Sequence, residues 1–236
     1  MIDKELLRNR AHDIGIDIDD SKLENFDKYA ELLVSWNEKI NLTAITDPLG
    51  IIEKHFIDSL AFLKYISLKG DEKIIDVGTG AGFPGIVLLI MYPNIQMTLL
   101  DSTEKKLNVI KDILDKLGLS AKVVHMRAED AGHDSSFREQ FDIATARAVS
   151  NLRDLSEYCL PFVKVGGSFI SMKGADAKAE WEIGENAAKT LGGELKAFET
   201  YELPGCGERA IINIKKIAVT PDKYPRPKTQ MQKKPL

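Results

Sequence analysis

Residues 73–91 read KIIDVGTGAGFPGIVLLIM and decide the fold of the chain. The stretch opens with Ile74, Ile75 and Val77, β-branched apolar residues typical of a strand that is buried on both faces in a parallel sheet. The glycines that follow predict a sharp turn that lets a bound group approach the backbone, and the apolar run behind them predicts a helix. Pro84 suits the first helical turn, and we expect free N–H groups of the turn to face the ligand.

The spacing of the glycines separates two classes of cofactor. A dinucleotide-binding fingerprint needs G-x-G-x-x-G, but Phe83 stands where the third glycine should be. Asp76, Gly78, Gly80 and Gly82 instead give the pattern D-x-G-x-G-x-G, which resembles motif I of the Rossmann-like S-adenosylmethionine methyltransferases. A nicotinamide cofactor is therefore disfavoured, and an ordinary tight turn without a ligand is the structural alternative.

A second apolar strand, residues 96–101, ends in a carboxylate. In doubly wound sheets the ligand lies across the carboxyl ends of the strands, and an acidic residue roughly 20 positions beyond the glycines accepts from the ribose hydroxyls. Asp101 meets both conditions, so the sequence favours it as a ribose ligand. The alternative is an N-cap for the helix that begins near Glu104, a role that Ser102 or Thr103 can also fill.

Two further strand ends bring polar residues to the same edge of the predicted sheet. Glu129 follows the third strand beside Asp101, where a side chain or backbone N–H can read the adenine edge; a solvated acid in a polar loop is the alternative. Arg147 follows the fourth strand and is expected to border the reacting end of the cofactor. Its guanidinium can clamp a carboxylate or a phosphate, and a surface salt bridge is the alternative.

Periodicity divides the chain into three predicted parts. Residues 1–65 are expected to form an N-terminal helical cap, and residues 66–220 an α/β domain with a mainly parallel seven-stranded sheet. The segments 194–203 and 209–217 alternate like a closing antiparallel hairpin, which is typical of a methyltransferase sheet and not of a dehydrogenase. Residues 221–236 form a basic tail whose prolines are expected to prevent a helix.

Start signals place two helices within the N-terminal part. Ser21 and Glu24 form a capping box, and Asp47 precedes a proline at the first position of the next helix. His55 and Asp58 lie three residues apart on that second helix, close enough to interact. The spacing alone names no partner for this pair and favours a structural role.

Composition limits the remaining possibilities. Of the 236 residues, 44% are hydrophobic, which suffices for a single extended core. The two cysteines, Cys159 and Cys206, have neither metal-ligand spacing nor disulfide density and indicate a reduced compartment. With no secretory signal or membrane-spanning run, we expect a soluble cytoplasmic protein. A net charge of −4 means that any nucleic-acid contact must come from a local patch.

A family resemblance rests on five short motifs spread over nearly the whole chain. They are Asn41-Leu42-Thr43, His55-x-x-Asp58-Ser59-Leu60, the glycine-rich stretch from Asp76 to Gly85, Ala146-Arg147-Ala148 and Tyr224-Pro225-Arg226. Together they resemble the bacterial ribosomal RNA small subunit methyltransferase G family, formerly called glucose-inhibited division protein B. The resemblance implies transfer of the S-adenosylmethionine methyl group to N7 of one guanine in 16S rRNA, expected at guanine 527.

The resemblance also implies a set of cofactor contacts by position. They are Gly78, Phe83, Ala128, Glu129 and Arg147. The glycine pattern and the strand ends add Asp76, Gly80 and Asp101. We predict no catalytic acid or base, because guanine N7 already presents a lone pair. Positioning of the reactants can contribute about 7–11 kcal/mol by itself.

The partners and the rival functions follow from the same reasoning. We expect a monomer without a metal or a membrane contact, acting on naked 16S rRNA, on the small ribosomal subunit or on a precursor of it. The lysine-rich tail can supply phosphate contacts, or it can be a solvated terminus. A small-molecule methyltransferase predicts no dependence on RNA, and a non-catalytic cofactor-binding module predicts no turnover.

Overall fold

The computed structural model describes residues 1–147, 149–205 and 207–236, so the motif residue Ala148 and the hairpin residue Cys206 lie outside the described residues. The strands are β1 (Lys73–Val77), β2 (Gln96–Asp101), β3 (Lys122–His125), β4 (Phe141–Arg147), β5 (Val163–Lys173), β6 (Gly193–Leu203) and β7 (Gly207–Lys216). They form one sheet in the order β3-β2-β1-β4-β5-β7-β6. The pairs from β3 to β5 are parallel, whereas β7 is antiparallel to both β5 and β6. The predicted Rossmann-like α/β sheet with a closing hairpin is confirmed.

Helices precede the sheet and connect its strands. They are α1 (Lys4–Asp13), α2 (Asp20–Asn37), α3 (Pro48–Gly50), α4 (Asp58–Tyr65), α5 (Gly85–Met91), α6 (Glu104–Leu117), α7 (Ala128–Ala131), α8 (Leu152–Cys159), α9 (Ala177–Thr190) and α10 (Lys228–Lys233). A π-helical segment, Ile51–Ile57, joins α3 to α4. Such wide turns are rare in proteins and frequently occur at functional sites.

Of the two predicted helix starts, the structure confirms one cap and contradicts the other. The Asp47 side chain accepts from the Gly50 N–H at 2.7 Å, and a proline takes the first turn of α3, as predicted. The predicted capping box at Ser21 is wrong, because Asp19 caps α2 by accepting from the Lys22 N–H at 2.9 Å. Since Asp19 already supplies the acceptor, Ser21 lies within the first helical turn.

Apolar clusters cover both faces of the sheet. On one face Phe26, Tyr29 and Leu33 of α2 are fully buried and belong to the same cluster as Ile74 of β1. Each such side chain contributes about 1.5–3 kcal/mol when it leaves water. The other face is covered by α8, α9 and the C-terminal tail. The N-terminal helices thus share a continuous core with the sheet, and the division of the chain at residues 65 and 220 stays a prediction.

The C-terminal tail is folded against the sheet domain. The prediction that its prolines prevent a helix is wrong, because Pro227 precedes α10 as its N-cap and leaves the helix uninterrupted. Arg138 donates to the carbonyl groups of Tyr224 and Thr220 at 2.8 and 2.7 Å. Lys216, at the end of β7 just before the tail, is fully buried and donates to the Leu160 carbonyl group at 2.7 Å, so it is not exposed for phosphate contacts.

Candidate functional site

The glycine-rich turn follows β1, beside the point where the strand order reverses between β1 and β4. Ligands of open α/β sheets bind at this kind of position. Gly80 has a φ of +59°, and a Cβ placed there would meet nothing nearer than the Gly78 carbonyl oxygen at 3.8 Å. The missing side chain therefore leaves open space directly above the turn, as a cofactor cradle requires.

The N–H groups of the turn are largely used within the protein. Those of Gly78 and Thr79 donate to the Leu100 carbonyl oxygen at 2.8 and 3.0 Å. Those of Gly82 and Phe83 donate to the Thr79 carbonyl oxygen at 2.8 and 3.2 Å. The expectation that these N–H groups are free to face a ligand is therefore wrong. Their bonds make the turn rigid and fix its position relative to β2.

Asp76 lies beneath the turn. Its Oδ2 accepts from the Thr79 hydroxyl group at 2.7 Å and from the Gly85 N–H at 3.0 Å, so one oxygen braces both ends of the turn. Its buried Oδ1 has no hydrogen-bond partner among the residues that the structure describes. Burial raises the pKa of the Asp76 carboxyl group to about 7, against the lowering effect of these two bonds. Its predicted contact with the cofactor stays a prediction.

Asp101, at the end of β2, fixes the turn from the side. Its Oδ2 accepts from the Gly80 N–H at 2.9 Å, and its Oδ1 accepts from the Thr103 N–H at 2.8 Å, just before α6. Each carboxylate oxygen keeps a second lone pair. Asp101 thus supports the turn while retaining the acceptor capacity that ribose binding needs.

A pocket of about 490 Å³ opens above the glycine-rich turn, and we call it the turn pocket. Its volume lies within the range of small-molecule and cofactor sites. The predicted site residues that line it are Gly78, Gly80, Phe83, Asp101, Ala128, Glu129 and Arg147. Thr43, His55, Tyr158 and Lys228 also line it and were not predicted. Thr43 and His55 belong to the motifs that carry the family resemblance and Lys228 belongs to the basic tail, but only tertiary packing brings these four distant residues to one pocket.

Arg147 extends from the end of β4 to the N-terminal helices. Its Nη1 donates to the main-chain carbonyl group of Lys54 and to Asp58 Oδ2, both at 2.9 Å. Its guanidinium carbon lies 4.8 Å from the centre of the Phe83 ring, a cation–π contact. Only 13% of the Arg147 side chain and 11% of the Asp58 side chain are exposed. The pair is a largely buried junction and not the surface salt bridge that was the alternative.

His55 holds this arginine in place as a neutral ring. Its Nδ1 lies 3.2 Å from Arg147 Nη2, and its Nε2 lies 2.9 Å from Thr43 Oγ1. Because a guanidinium group only donates, Nδ1 accepts and the ring proton is on Nε2. The ring stacks on Phe83 with 4.4 Å between centroids. Burial, together with the charge of Arg147, lowers the His55 pKa to about 4, so the ring carries no charge near neutral pH.

A second pocket, of about 700 Å³, lies beyond the ends of β4 and β5, and we call it the β5 pocket. It shares His55, Arg147, Val149 and Ser150 with the turn pocket. These four residues form a common wall, so groups bound in the two pockets would meet at that wall. The arrangement suits a reaction between two ligands.

The described residues contain neither a metal-binding cluster nor a membrane-spanning helix. Within residues 1–147, 149–205 and 207–236, no group of three or more His, Cys, Asp or Glu side chains is placed to hold a metal ion. In the same described ranges, no helix combines the length and the apolar character needed to cross a bilayer.

Solved structures of other proteins share this fold. A methyltransferase from Pyrococcus furiosus superposes with a TM-score of 0.57 at 16% identity, covering 79% of this chain and 98% of that chain. TrmN from Thermus thermophilus superposes with a TM-score of 0.54 at 16% identity, covering 70% of this chain and 53% of that chain. The fold is that of the class I methyltransferases.

Sequence comparison shows the family to which this chain belongs. A family model described as rRNA small subunit methyltransferase G matches residues 22–212. The chain belongs to the ribosomal RNA small subunit methyltransferase G family, which confirms the resemblance seen in the motifs. A relative of that name from Thermoanaerobacter sp. (strain X514) is 45% identical over 98% of both chains. Another, from Alkaliphilus metalliredigens (strain QYMF), is 44% identical over 100% of both.

Proposed function

We propose that the protein transfers the methyl group of S-adenosylmethionine to N7 of a single guanine in 16S rRNA, with guanine 527 as the expected position. Membership of the family supports methylation of ribosomal RNA. The observation that carries the proposal is the turn pocket, where seven residues predicted from sequence lie together around the open space above Gly80. The choice of N7 and of the position rests on the resemblance of the motifs.

The residues of the turn pocket fit an S-adenosylmethionine-type cofactor, which the fold and family imply. Asp101 offers acceptor capacity to the ribose hydroxyl groups, and Ala128 and Glu129 stand at the next strand end, where the adenine edge is expected. Gly80 leaves the space for close approach. Arg147 borders the pocket, and its guanidinium is already oriented by its protein contacts.

Methyl transfer to N7 requires little of the protein beyond positioning the cofactor and the guanine. When bound, S-adenosylmethionine supplies a methyl group on a cationic sulfur, which N7 attacks with its own lone pair while the carbon–sulfur bonding pair stays on sulfur, so that no proton has to leave. The neutral His55 is consistent with this, because a ring with a pKa of about 4 that already accepts from Arg147 serves as a support and not as a general base. Phe83, stacked between His55 and Tyr29, contributes an apolar surface to the lining of the site.

The proposed setting is the bacterial cytoplasm, where the protein acts as a monomer on the small ribosomal subunit or its precursor. The exposed tail lysines, Lys223, Lys228, Lys233 and Lys234, are available for phosphate contacts. Lys228 also lines the turn pocket, so the tail brings positive charge to the edge of the site. Such contacts position an RNA without specifying its sequence.

The test is transfer of labelled methyl groups from S-adenosylmethionine to purified small subunits that lack the modification. Naked 16S rRNA and a small-molecule extract are assayed in parallel, and cleavage chemistry specific for N7-methylguanine maps the product. We expect label in one guanine of 16S rRNA. Label only in the extract would contradict the proposal in favour of a small-molecule methyltransferase. Cofactor binding without any transfer would indicate a non-catalytic module.

A further inference from the structure

The β5 pocket has a lining that differs in charge from the chain as a whole. Four cationic side chains and two carboxylates line it: Lys54, Arg147, Lys173, Arg209, Asp58 and Glu180. With His55 neutral, the lining carries two more positive than negative charges, although the whole chain has a net charge of −4. This is the local patch that nucleic-acid binding needs in an acidic protein, since positive charge attracts the phosphates.

Apolar residues complete the lining. Ile45, Val149 and Met172 lie among the charged groups, and 40% of Val149 is exposed although it is a large hydrophobic residue. A cavity with apolar walls and a few oriented polar groups is typical of small-ligand sites. A flat nucleobase with a phosphate at one end matches this combination of apolar surface and positive charge.

Lys173 and Glu180 form the oriented polar group on the side of the pocket away from β1. Lys173 Nζ lies 2.7 Å from Glu180 Oε2 and also donates to the Ser150 carbonyl oxygen at 2.6 Å. Glu180 Oε2 further accepts from the Leu152 N–H at 2.6 Å, whereas Oε1 takes no hydrogen bond from the part of the chain that the structure describes. Only 8% of the Lys173 side chain is exposed, so the pair is held in one geometry.

The pair offers one unused ammonium hydrogen beside one unused carboxylate oxygen, since an ammonium group has three donors. Guanine presents a matching edge, because its O6 accepts and its neighbouring N1–H and 2-amino group donate. Adenine presents the reverse, a donor at N6 and an acceptor at N1. A guanine held by this edge leaves its N7 unengaged, on the other side of O6 and free to face the wall that the two pockets share.

We propose that the β5 pocket takes the target guanine, with Lys173 donating to O6 and Glu180 accepting from the N1–H and 2-amino side. This inference rests on the proposed function and adds the residues that select the base. Recognition of an extruded base by its Watson–Crick edge is common among proteins that bind RNA or modify bases. Arg147, in the shared wall, then lies between the base and the cofactor.

The first experiment compares guanosine with inosine, which lacks only the 2-amino group. Small subunits are reconstituted from ligated 16S rRNA carrying either nucleoside at the target position, and initial rates are measured for the wild type and for Glu180→Gln. We expect the wild type to prefer guanosine by roughly 10-fold. Glu180→Gln keeps an oxygen for the Leu152 N–H but loses the free acceptor, so its preference should fall toward 1.

The outcomes separate this inference from the function on which it rests. A merely structural role for Glu180 would lower both rates equally and leave the preference unchanged, which would overturn the base assignment and leave the proposed function standing. Absence of transfer by the wild type to guanosine-containing subunits would overturn the proposed function itself, and the base assignment with it.

The second experiment fills the β5 pocket. A Cβ at Gly174 meets no atom within 4 Å and Gly174 has no left-handed φ, so Gly174→Leu should enter the pocket without strain. We expect transfer to subunits to fall at least about 10-fold. Cofactor affinity, measured by calorimetry, should be unchanged, because Gly174 does not line the turn pocket. Lys178→Leu on the exposed face of α9 is the control for an added leucine. Wild-type transfer by Gly174→Leu would contradict the assignment.

Discussion

The guanidinium of Arg147 donates to the carboxylate of Asp58 across 2.9 Å and so joins the end of β4 to the first turn of α4. Asp58 also lies 3.6 Å from Arg209 Nε, so one buried carboxylate is shared by two guanidinium groups. Since Arg147 forms part of the wall between the two pockets, the N-terminal helices determine the geometry of both. The N-terminal helices are therefore part of the site.

Replacement of Arg147 should lower the rate of methyl transfer without unfolding the protein. Arg147→Ala removes the bonds to Lys54 and Asp58 and the contact with Phe83, but Asp58 keeps its charge partner Arg209, so the fold should persist. We expect methyl transfer to fall at least about 100-fold, the usual consequence of small errors in placement. Initial rates measured beside circular dichroism test this. Normal turnover would remove Arg147 from the site.

Arg147→Lys is the matched control for charge. Lysine keeps the positive charge but not the planar fork that serves Asp58, Lys54 and His55 together. We expect its activity to stay close to that of the alanine variant. Recovery of wild-type activity by lysine would show that charge alone, and not the fork, is what the site needs.

Gly80→Asp should abolish cofactor binding. The new side chain would occupy the open space above the turn and place a second carboxylate beside Asp101, whose Oδ2 already accepts from the Gly80 N–H. We expect the dissociation constant for S-adenosylmethionine to rise at least about 100-fold, equivalent to roughly 3 kcal/mol. Isothermal titration calorimetry measures it directly.

Gly118→Asp is the control for backbone strain in that experiment. Gly118 has a φ of +65°, close to the +59° of Gly80, and a Cβ there also meets nothing within 4 Å, but it ends α6 outside the turn pocket. It should lose similar stability and bind cofactor normally. Equal losses of affinity in both variants would assign the effect to strain and would contradict the cradle.

Sequence patterns predicted the parts of the site that depend on neighbouring residues in the chain and on the order of the strands. The glycine-rich turn and Asp101 follow from residues adjacent in sequence, and strand order brought Glu129 and Arg147 to the same pocket. The sequence also placed His55 beside Asp58, but it could not identify their partner, because Arg147 lies 92 residues from His55 and meets it only through packing.

The predictions that were wrong also have physical explanations. Two acceptors competed to cap α2, and Asp19 supplied the bond that the pattern had assigned to Ser21. The tail formed a helix because Pro227 stands at its start, where a proline needs no N–H. Two N–H groups of the turn, those of Gly78 and Thr79, were occupied because β2 runs alongside and offers the Leu100 carbonyl group, a contact that no single segment reveals. Two others bond within the turn, to the Thr79 carbonyl group.

Asp76 should make the stability of the protein depend on pH. Its pKa is raised from 3.8 to about 7 by burial in the folded state, so folding favours the protonated form. The resulting stability is fully present below about pH 4 and is lost as the pH rises through about 7. A difference of this size corresponds to at most about 4 kcal/mol.

Asp76→Asn tests this dependence by removing the charge while keeping an oxygen for Thr79 and Gly85. Urea unfolding between pH 5 and 8 should show the variant gaining stability relative to the wild type as the pH rises. Asp71→Asn, at an exposed carboxyl group just before β1, is the control and should follow the wild-type curve. Parallel curves for Asp76→Asn and the wild type would contradict the prediction.

The tail should affect cofactor binding through one ion pair. The Arg226 backbone N–H and Nε donate to Glu157 Oε1 at 2.7 and 2.8 Å, and Nη2 donates to Oε2 at 2.7 Å, while only 2% of the Glu157 side chain is exposed. Arg226→Ala leaves this buried carboxylate without its charged partner, which should cost about 3–5 kcal/mol of stability. Urea unfolding measures the loss.

An added substitution at Glu157 separates two effects of Arg226→Ala: the loss of stability from the unpaired carboxylate, and the loss of cofactor affinity from the undocked tail. Glu157→Gln combined with Arg226→Ala removes both charges, so it should recover most of the stability that Arg226→Ala loses. It should not recover cofactor affinity, because Tyr158 and Lys228, the neighbours of this anchor along the chain, line the turn pocket and depend on a docked tail. We expect a loss of roughly 10-fold by calorimetry in both variants. Wild-type affinity in the stable double variant would show that the tail folds against the sheet domain without contributing to the cofactor site.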